Sequence, residues 1–414
     1  MAEPLARPLI PPDGVPIGVA DQSAPIDTGT RLATALLAYM ALVTAVVTLF
    51  PFEFALPTRP RLLLTGGLAD VLANVALFAP LGFLYSVARP HAMARAGRIF
   101  LMALAMSAMI ELVQLFEVTR YASLSDVAAN GAGAWLGAIA HRRLARRIAM
   151  DARTVGRLSL ELPLMGLVYL LVPLLWVDGL AGADSLTRLW PLLALGLFGA
   201  SLLAAVQRHY FGPNHVLSRE MMAATACAWF LLGAFPGLAP RASILLFVML
   251  AAVAAFVWTR SIDRSGARSI NRRFESKALA EAAPFYAAYL VLLVAPVTGT
   301  GMAAWRGALG FVEASGDWGT APVLHVVELV AAFTLLGYML AEFRGRRETR
   351  FRAAAPHVAV WGGGAAVLCE LLEGFRPDGG ASVLRLTLLV TAAVYGAWVY
   401  HLQRAHVRRI LGRM

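Results

Sequence analysis

Long apolar segments constrain this chain more than any other feature. A helix that crosses the hydrocarbon core of a membrane needs roughly 20 mainly apolar residues. The 414-residue sequence contains twelve segments of about that kind, and only 15% of its residues are charged, against about a quarter in a soluble domain. The sequence therefore predicts an all-α, polytopic transmembrane protein. The predicted spans lie near residues 33–52, 70–88, 97–116, 124–141, 159–177, 187–206, 220–235, 242–259, 281–299, 321–343, 354–374 and 383–402.

The distribution of cationic residues between the loops predicts an orientation. If the N-terminus lies in the cytoplasm and the sides alternate, the cytoplasmic segments contain 28 of the 36 Lys and Arg residues. Cytoplasmic loops are enriched in these residues, so this pattern favours twelve spans with both termini in the cytoplasm. The net charge of +11 is then explained by loop arginines, and no nucleic-acid partner is predicted. Residues 1–31 contain six prolines and are predicted to be a disordered cytoplasmic tail.

Seven polar residues are predicted to gather at the outer end of the second, third and fourth spans. Spacings of three or four residues place six of them in three pairs, each pair on one helix face, and the seventh, Arg120, lies in the short outer loop. These residues are Asp70, Asn74, Glu111, Gln114, Arg120, Asp126 and Asn130. The pattern predicts either a functional cleft or a structural network of hydrogen bonds between helices.

Some of these residues favour a structural role, and others favour a functional cleft. Asp70 and Asp126 lie at helix starts, where acidic residues cap helices in many proteins. Glu111 lies about two turns inside its span, where a carboxylate costs on the order of 2–3 kcal/mol, and it is expected to face a cavity or to pair with Arg120. The stretch from Ser123 to Asp126 is typical of a capping box.

Glycines at positions 133 and 137 form a small-xxx-small pair in the fourth span. Such pairs allow two helix backbones to approach closely. The sequence therefore predicts close packing of the fourth span against a neighbour.

Two blocks of sequence together resemble the VanZ-like membrane domain. The first is NVALFAPLGF, which begins at Asn74. The second contains ELVQ from Glu111 and continues with RYASLSDVAANGAG from Arg120. The resemblance covers about residues 33–145. It implies a bacterial inner (plasma) membrane protein with an outward-facing polar cluster, and it does not specify a reaction.

A second, degenerate copy of this domain is predicted over about residues 281–403. Glu111 aligns without gaps on Glu370, and Ser123 aligns on Ser382. Asp126 is replaced by Arg385, which we hypothesise to pair with an acid of the first copy. The copies enter the membrane in the same direction, so the sequence predicts two parallel four-helix repeats that flank four linking spans. The predicted units are residues 1–31, 32–150, 151–279 and 280–414.

Three functional interpretations are compatible with these patterns. In the first, the outward polar cleft binds or modifies a cell-envelope lipid or cell-wall intermediate. The second is a noncatalytic membrane assembly or structural protein, and the third is a secondary transporter. The cofactor and the oligomeric state are not predicted, no metal site is assigned, and the expected partners are membrane lipids.

The first interpretation assigns provisional roles to the seven polar residues. Carboxylates near a membrane surface can exchange protons. The candidate catalytic residues are therefore Glu111, Asp126 and Asp70. Amides and a guanidinium orient and bind a polar headgroup, and the candidate substrate-binding residues are Asn74, Gln114, Arg120 and Asn130.

Overall fold

A computed structural model describes most of the apolar segments of the chain. The described residues are 28–50, 52–56, 62–63, 67–89, 96–118, 121–149, 169–181, 189–211, 251–255, 274–295, 304–310, 320–344, 350–377 and 379–411, together with isolated positions between 166 and 249. Within these residues the fold is all-α apart from two-residue strands.

The described helices follow the apolar segments of the sequence. They are α1 (Thr28–Leu49), α2 (Leu68–Ala88), α3 (Ala96–Gln114), α4 (Leu124–Ala149), α5 (Tyr169–Ala181), α6 (Leu189–Phe211), α7 (Phe274–Val294), α8 (Thr320–Arg344), α9 (Phe351–Glu373) and α10 (Val383–Leu411). Four short strands lie between them: β1 (Leu62–Leu63), β2 (Ala122–Ser123), β3 (Gly307–Ala308) and β4 (Ala381–Ser382).

Six helices of the described part of the chain are long and apolar enough to cross a membrane. These segments are Gly29–Leu49, Leu68–Ala88, Gly97–Gln114, Pro322–Arg344, Phe351–Glu373 and Val383–His406. They confirm a helical membrane protein. The fourth predicted span is helical within α4, whereas the predicted spans near 220–235 and 242–259 lie largely outside the described residues.

Helices α2 and α4 pack with their backbones in close approach. A Cβ at Gly82 would overlap the backbone carbonyl of Ala134, and a Cβ at Gly137 would overlap that of Ala79. Gly133 similarly lies against the backbone of Val75. The predicted close contact of the fourth span is therefore confirmed, and α2 is the helix that it contacts.

Helices α8 and α10 make contacts of the same kind at equivalent positions. A Cβ at Gly337 would overlap the carbonyl of Ala393, and one at Gly396 would overlap the carbonyl of Thr334. The short strands also correspond, because β1 pairs in parallel with β2 and β3 pairs in parallel with β4. Each parallel pair brings the loop after one helix against the residues that start the last helix of its group.

The N-terminal group, α1–α4, contacts the C-terminal group, α7–α10, through α1 and α10. The Tyr395 hydroxyl on α10 donates a hydrogen bond of 2.8 Å to the carbonyl of Ala35 on α1. The rings of Tyr39 and Tyr395 lie 6.4 Å apart. Between the two groups in sequence, α6 packs on α7, where Phe198 and Tyr286 have ring centroids 5.0 Å apart. The groups therefore share one apolar core.

Candidate functional site

Glu111 lies at the C-terminal end of α3 and binds the start of α4. Only 8% of its surface is exposed, and its carboxylate accepts a hydrogen bond of 2.7 Å from the backbone N–H of Ser123. Ser123 immediately precedes α4, so this N–H is one of the donors that a helix start leaves without an intrahelical partner. A carboxylate at this position is also favoured by the positive end of the helix dipole.

The prediction of a capping box at Ser123 and Asp126 is therefore wrong for one of its two hydrogen bonds. In a capping box the side chain of the third helical residue, here Asp126, would accept the N–H of Ser123. Glu111 takes that N–H instead, and the Ser123 hydroxyl lies 2.7 Å from the Ser125 hydroxyl.

Asp126 lies in the first turn of α4, half-buried, and it is connected to α2. Its carboxylate accepts side-chain hydrogen bonds from Ser123, Ser125 and Asn74. Asp70, one turn before Asn74 on α2, is close enough to repel the Asp126 charge. Asp70 itself is exposed and accepts a hydrogen bond of 3.2 Å from the N–H of Gly67, so it caps the start of α2.

The structure thus brings together four of the seven predicted residues around Ser123. We call Asp70, Asn74, Glu111, Ser123 and Asp126 the polar cluster. Three carboxylates lie within this cluster, where α2 and α4 begin and α3 ends. Such an arrangement can accept hydrogen bonds from hydroxyl, amide or ammonium groups.

Two further predicted residues make contacts between helices instead. Gln114 is buried and donates a hydrogen bond of 2.7 Å to the carbonyl of Thr48, in the last turn of α1, where carbonyls lack intrahelical partners. Asn130 is buried one turn further along α4 and donates a hydrogen bond of 2.8 Å to the Ser107 hydroxyl on α3. Both side chains join α1, α3 and α4. The seventh predicted residue, Arg120, lies outside the described residues.

Glu117 belongs to the same end of the helices and was missed by the sequence reasoning. It is buried, and its carboxylate accepts a hydrogen bond of 2.9 Å from the N–H of Glu53. Residues 54 and 117 also form an antiparallel bridge. Phe52 precedes this contact with a φ of 67°, a left-handed conformation that is uncommon for a residue other than glycine. The two partners are 64 residues apart in sequence, so no local sequence pattern predicts this contact.

The equivalent position of the C-terminal group contains a closed ion pair. Glu370 on α9 accepts a hydrogen bond of 2.7 Å from the N–H of Ser382, as Glu111 does from Ser123. In addition, the Arg385 guanidinium binds both carboxylate oxygens of Glu370, with distances of 2.7 Å and 2.8 Å. The hypothesis that Arg385 pairs with an acid of the first copy is therefore wrong, because Arg385 pairs within its own group.

A second set of charges surrounds this pair. Glu373 lies 2.9 Å from His325 on α8 and 2.9 Å from Arg376. Glu373 also lies 3.6 Å from Arg385. Glu370, Glu373, His325, Arg376 and Arg385 form what we call the ion-pair network. Within the described residues, no group of His, Cys, Asp and Glu side chains has the geometry of a metal site.

Comparison with protein families identifies one part of the chain. Residues 27–146 match the family model described as VanZ/LLP1. This match covers α1–α3 and most of α4, and it confirms the VanZ-like domain that the motifs predict. Comparisons with curated proteins and with solved structures gave no match. The chain is thus a helical membrane protein that carries a VanZ-like domain.

Proposed function

We propose that this protein binds the polar headgroup of a cell-envelope lipid at the polar cluster, on the outer face of a bacterial inner membrane. The proposed ligand is a lipid-linked sugar of the kind used as a cell-wall intermediate. Its sugar hydroxyls and amide N–H groups are donors, and the acceptors of the cluster are the carboxylates of Asp70 and Asp126. Arg120, which follows α3 in sequence, would bind an anionic group of the same ligand as a planar fork.

The observation that carries this proposal is the contrast between two equivalent glutamates. Glu111 and Glu370 accept the same kind of backbone N–H at the same distance. Beside Glu370 lies Arg385, whereas the residue aligned with Arg385 is Asp126. The C-terminal group therefore places a cation beside its glutamate, at the position where the N-terminal group places a carboxylate. Charged groups near the membrane face a large desolvation cost, and their retention favours a functional role.

The proposed architecture consists of two parallel VanZ-like repeats that flank four linking spans, with twelve spans and both termini in the cytoplasm. The support is the recurrence of the glycine contacts, the strand pairs and the glutamate contact in both groups. The polar cluster then lies at the outer face, since the third predicted span runs from the cytoplasm outward and the cluster lies at its C-terminal end.

The proposal is tested by direct binding to purified protein in detergent. A fluorescent polyprenyl-diphosphate-linked sugar is titrated against the native chain and the Asp126→Asn and Asp70→Asn variants. Asparagine preserves size and hydrogen bonding, so we expect folding to persist and affinity to fall about tenfold or more, as for loss of a charge-assisted hydrogen bond. The conservative exposed change Glu53→Gln is the matched control. Unchanged affinity in both aspartate variants would contradict the proposal.

A structural role is the second candidate, and the contacts of Gln114 and Asn130 favour it. Both side chains are buried and both bind a neighbouring helix. If the polar cluster serves the same purpose, Asp126→Asn should lower the melting temperature together with any phenotype. A variant that melts like the native protein and no longer binds the lipid would exclude this role for Asp126.

A further inference from the structure

An apolar groove of about 440 Å³ opens at the side of the C-terminal group. Its volume falls within the range of about 300–1,000 Å³ that is usual for small-molecule sites. It lies between the start of α10, the C-terminal half of α9 and the β3 loop. The side chains that form its walls are Trp305, Leu309, Val367, Leu371, Val383 and Leu386.

The wall formed by the β3 loop is fixed in place by specific contacts. The Trp305 indole lies against two glycines, because a Cβ at Gly307 or at Gly374 would collide with the ring. The N–H of Arg306 donates a hydrogen bond of 2.9 Å to the carbonyl of Gly374. The parallel pairing of β3 with β4 anchors the other side of the loop. These contacts fix the position of the β3 loop, so the groove is a preformed feature of the structure.

The polar groups at the floor of the groove are occupied by protein partners. Glu370 and Ser382 contribute to the lining. The Glu370 carboxylate binds the N–H of Ser382 and the guanidinium of Arg385. An occupant of the groove thus needs no hydrogen-bonding group, and it meets apolar side chains almost throughout.

The surroundings of the groove decide what fills it. Both α9 and α10 are long and apolar enough to span a membrane. Leu371 and Val383 at the rim are 48% and 50% exposed, so they contact hydrocarbon when the helices cross a bilayer. Trp305 lies at the end of the helices where tryptophans mark the interface with the headgroups. A molecule that enters the groove from the bilayer is therefore an acyl chain with its headgroup near Trp305.

We propose that this groove binds one acyl chain of a bilayer phospholipid as a specific site, distinct from the polar cluster of the N-terminal group. The bound chain covers apolar side chains of the β3 loop that lie outside the helices. Leu309 is 82% exposed, which makes it the most exposed large apolar side chain of the groove lining. The site does not depend on the lipid-linked sugar, so either proposal can fail while the other stands.

The test uses a phosphatidylglycerol with a photoactivatable diazirine near the carboxyl end of one acyl chain. The protein is reconstituted in vesicles of phosphatidylglycerol and phosphatidylethanolamine, irradiated and digested, and the labelled peptides are identified by mass spectrometry. We expect residues 305–309 and 367–371 to be labelled at least about fivefold more strongly than residues 358–361, since a specific site discriminates against general lipid contact.

The variant Val367→Trp fills the groove, and Val360→Trp is its matched control. Val360 is 71% exposed on the same face of α9, two turns away and outside the groove. Val367→Trp should reduce labelling of the 305–309 peptide about fivefold, whereas Val360→Trp should leave it unchanged. Leu371→Trp replaces Val367→Trp if the latter lowers the melting temperature. Uniform labelling along α9, or labelling that survives both groove-filling variants, would overturn the proposal.

Discussion

The same substitution at two equivalent glutamates should have very different costs. In Glu370→Gln, the neutral amide can still accept the N–H of Ser382. It can no longer match the positive charge of Arg385, whose guanidinium binds both Glu370 oxygens at 2.7 Å and 2.8 Å. Removing one partner of a buried ion pair costs about 3–5 kcal/mol. Glu373, 3.6 Å from Arg385, compensates for part of this loss, so we expect about 3 kcal/mol.

Glu111→Gln should cost much less. The described contact of Glu111 with the α4 start is the N–H of Ser123 at 2.7 Å, and the glutamine carbonyl can accept it. At this contact the loss is the difference between a charge-assisted and a neutral hydrogen bond, about 1 kcal/mol. The two substitutions change the chemistry identically, so the expected difference of about 2 kcal/mol measures the cost of leaving Arg385 buried without its carboxylate partner.

The assay is reversible unfolding of the purified protein by titration with sodium dodecyl sulfate in mixed micelles, followed by circular dichroism. The double variant Glu370→Leu with Arg385→Leu is the control, because it removes both charges and should recover most of the stability lost in Glu370→Gln. Equal costs for Glu370→Gln and Glu111→Gln, or a double variant as unstable as the single one, would refute this reasoning.

Three other substitutions test the helix contacts in the same assay. Gly82→Ala should destabilise the protein by about 1–3 kcal/mol, because the added methyl overlaps the α4 backbone. Gly97→Ala is the control and should be neutral or stabilising, because position 97 has open space around it. Equal effects of the two substitutions would contradict the packing of α2 on α4. Gln114→Leu should cost about 1 kcal/mol by removing the side-chain donor of the Thr48 carbonyl, and no loss would show that water replaces this donor. Asn130→Ala should cost about 0.6 kcal/mol, the usual value for a hydrogen bond between membrane helices, and a loss of several kcal/mol would indicate a wider network.

Sequence patterns predicted the parts of the site that depend on local spacing. The helices of the N-terminal group follow from apolar length, and Gly133 and Gly137 lie against α2 as their four-residue spacing predicts. Asp126 and Asn74 approach each other because each lies in the first turns of a helix that packs closely on the other.

Contacts between distant segments could not be predicted in the same way. Glu111 takes the N–H of Ser123 from twelve residues away, and local capping rules assign that donor to Asp126. Arg385 binds Glu370 because α9 and α10 are adjacent within one group, a fact that the alignment of two copies does not contain. The strand pairs involve two residues each and leave no periodicity to detect.

The central claim is that the polar cluster is open to water on the outer face, whereas the ion-pair network is closed. Single cysteines introduced as Asp70→Cys, Asp126→Cys and Ser382→Cys, with Cys227 and Cys369 replaced by Ala, test it by labelling with a membrane-impermeant thiol reagent in spheroplasts. Ser382 is 2% exposed and adjoins Glu370, and its substitution leaves both charges of the ion pair in place. The account predicts rapid labelling of Asp70→Cys and Asp126→Cys in intact spheroplasts and slow labelling of Ser382→Cys. Labelling of the two aspartate positions only after permeabilisation, or at no faster rate than Ser382→Cys, would contradict it.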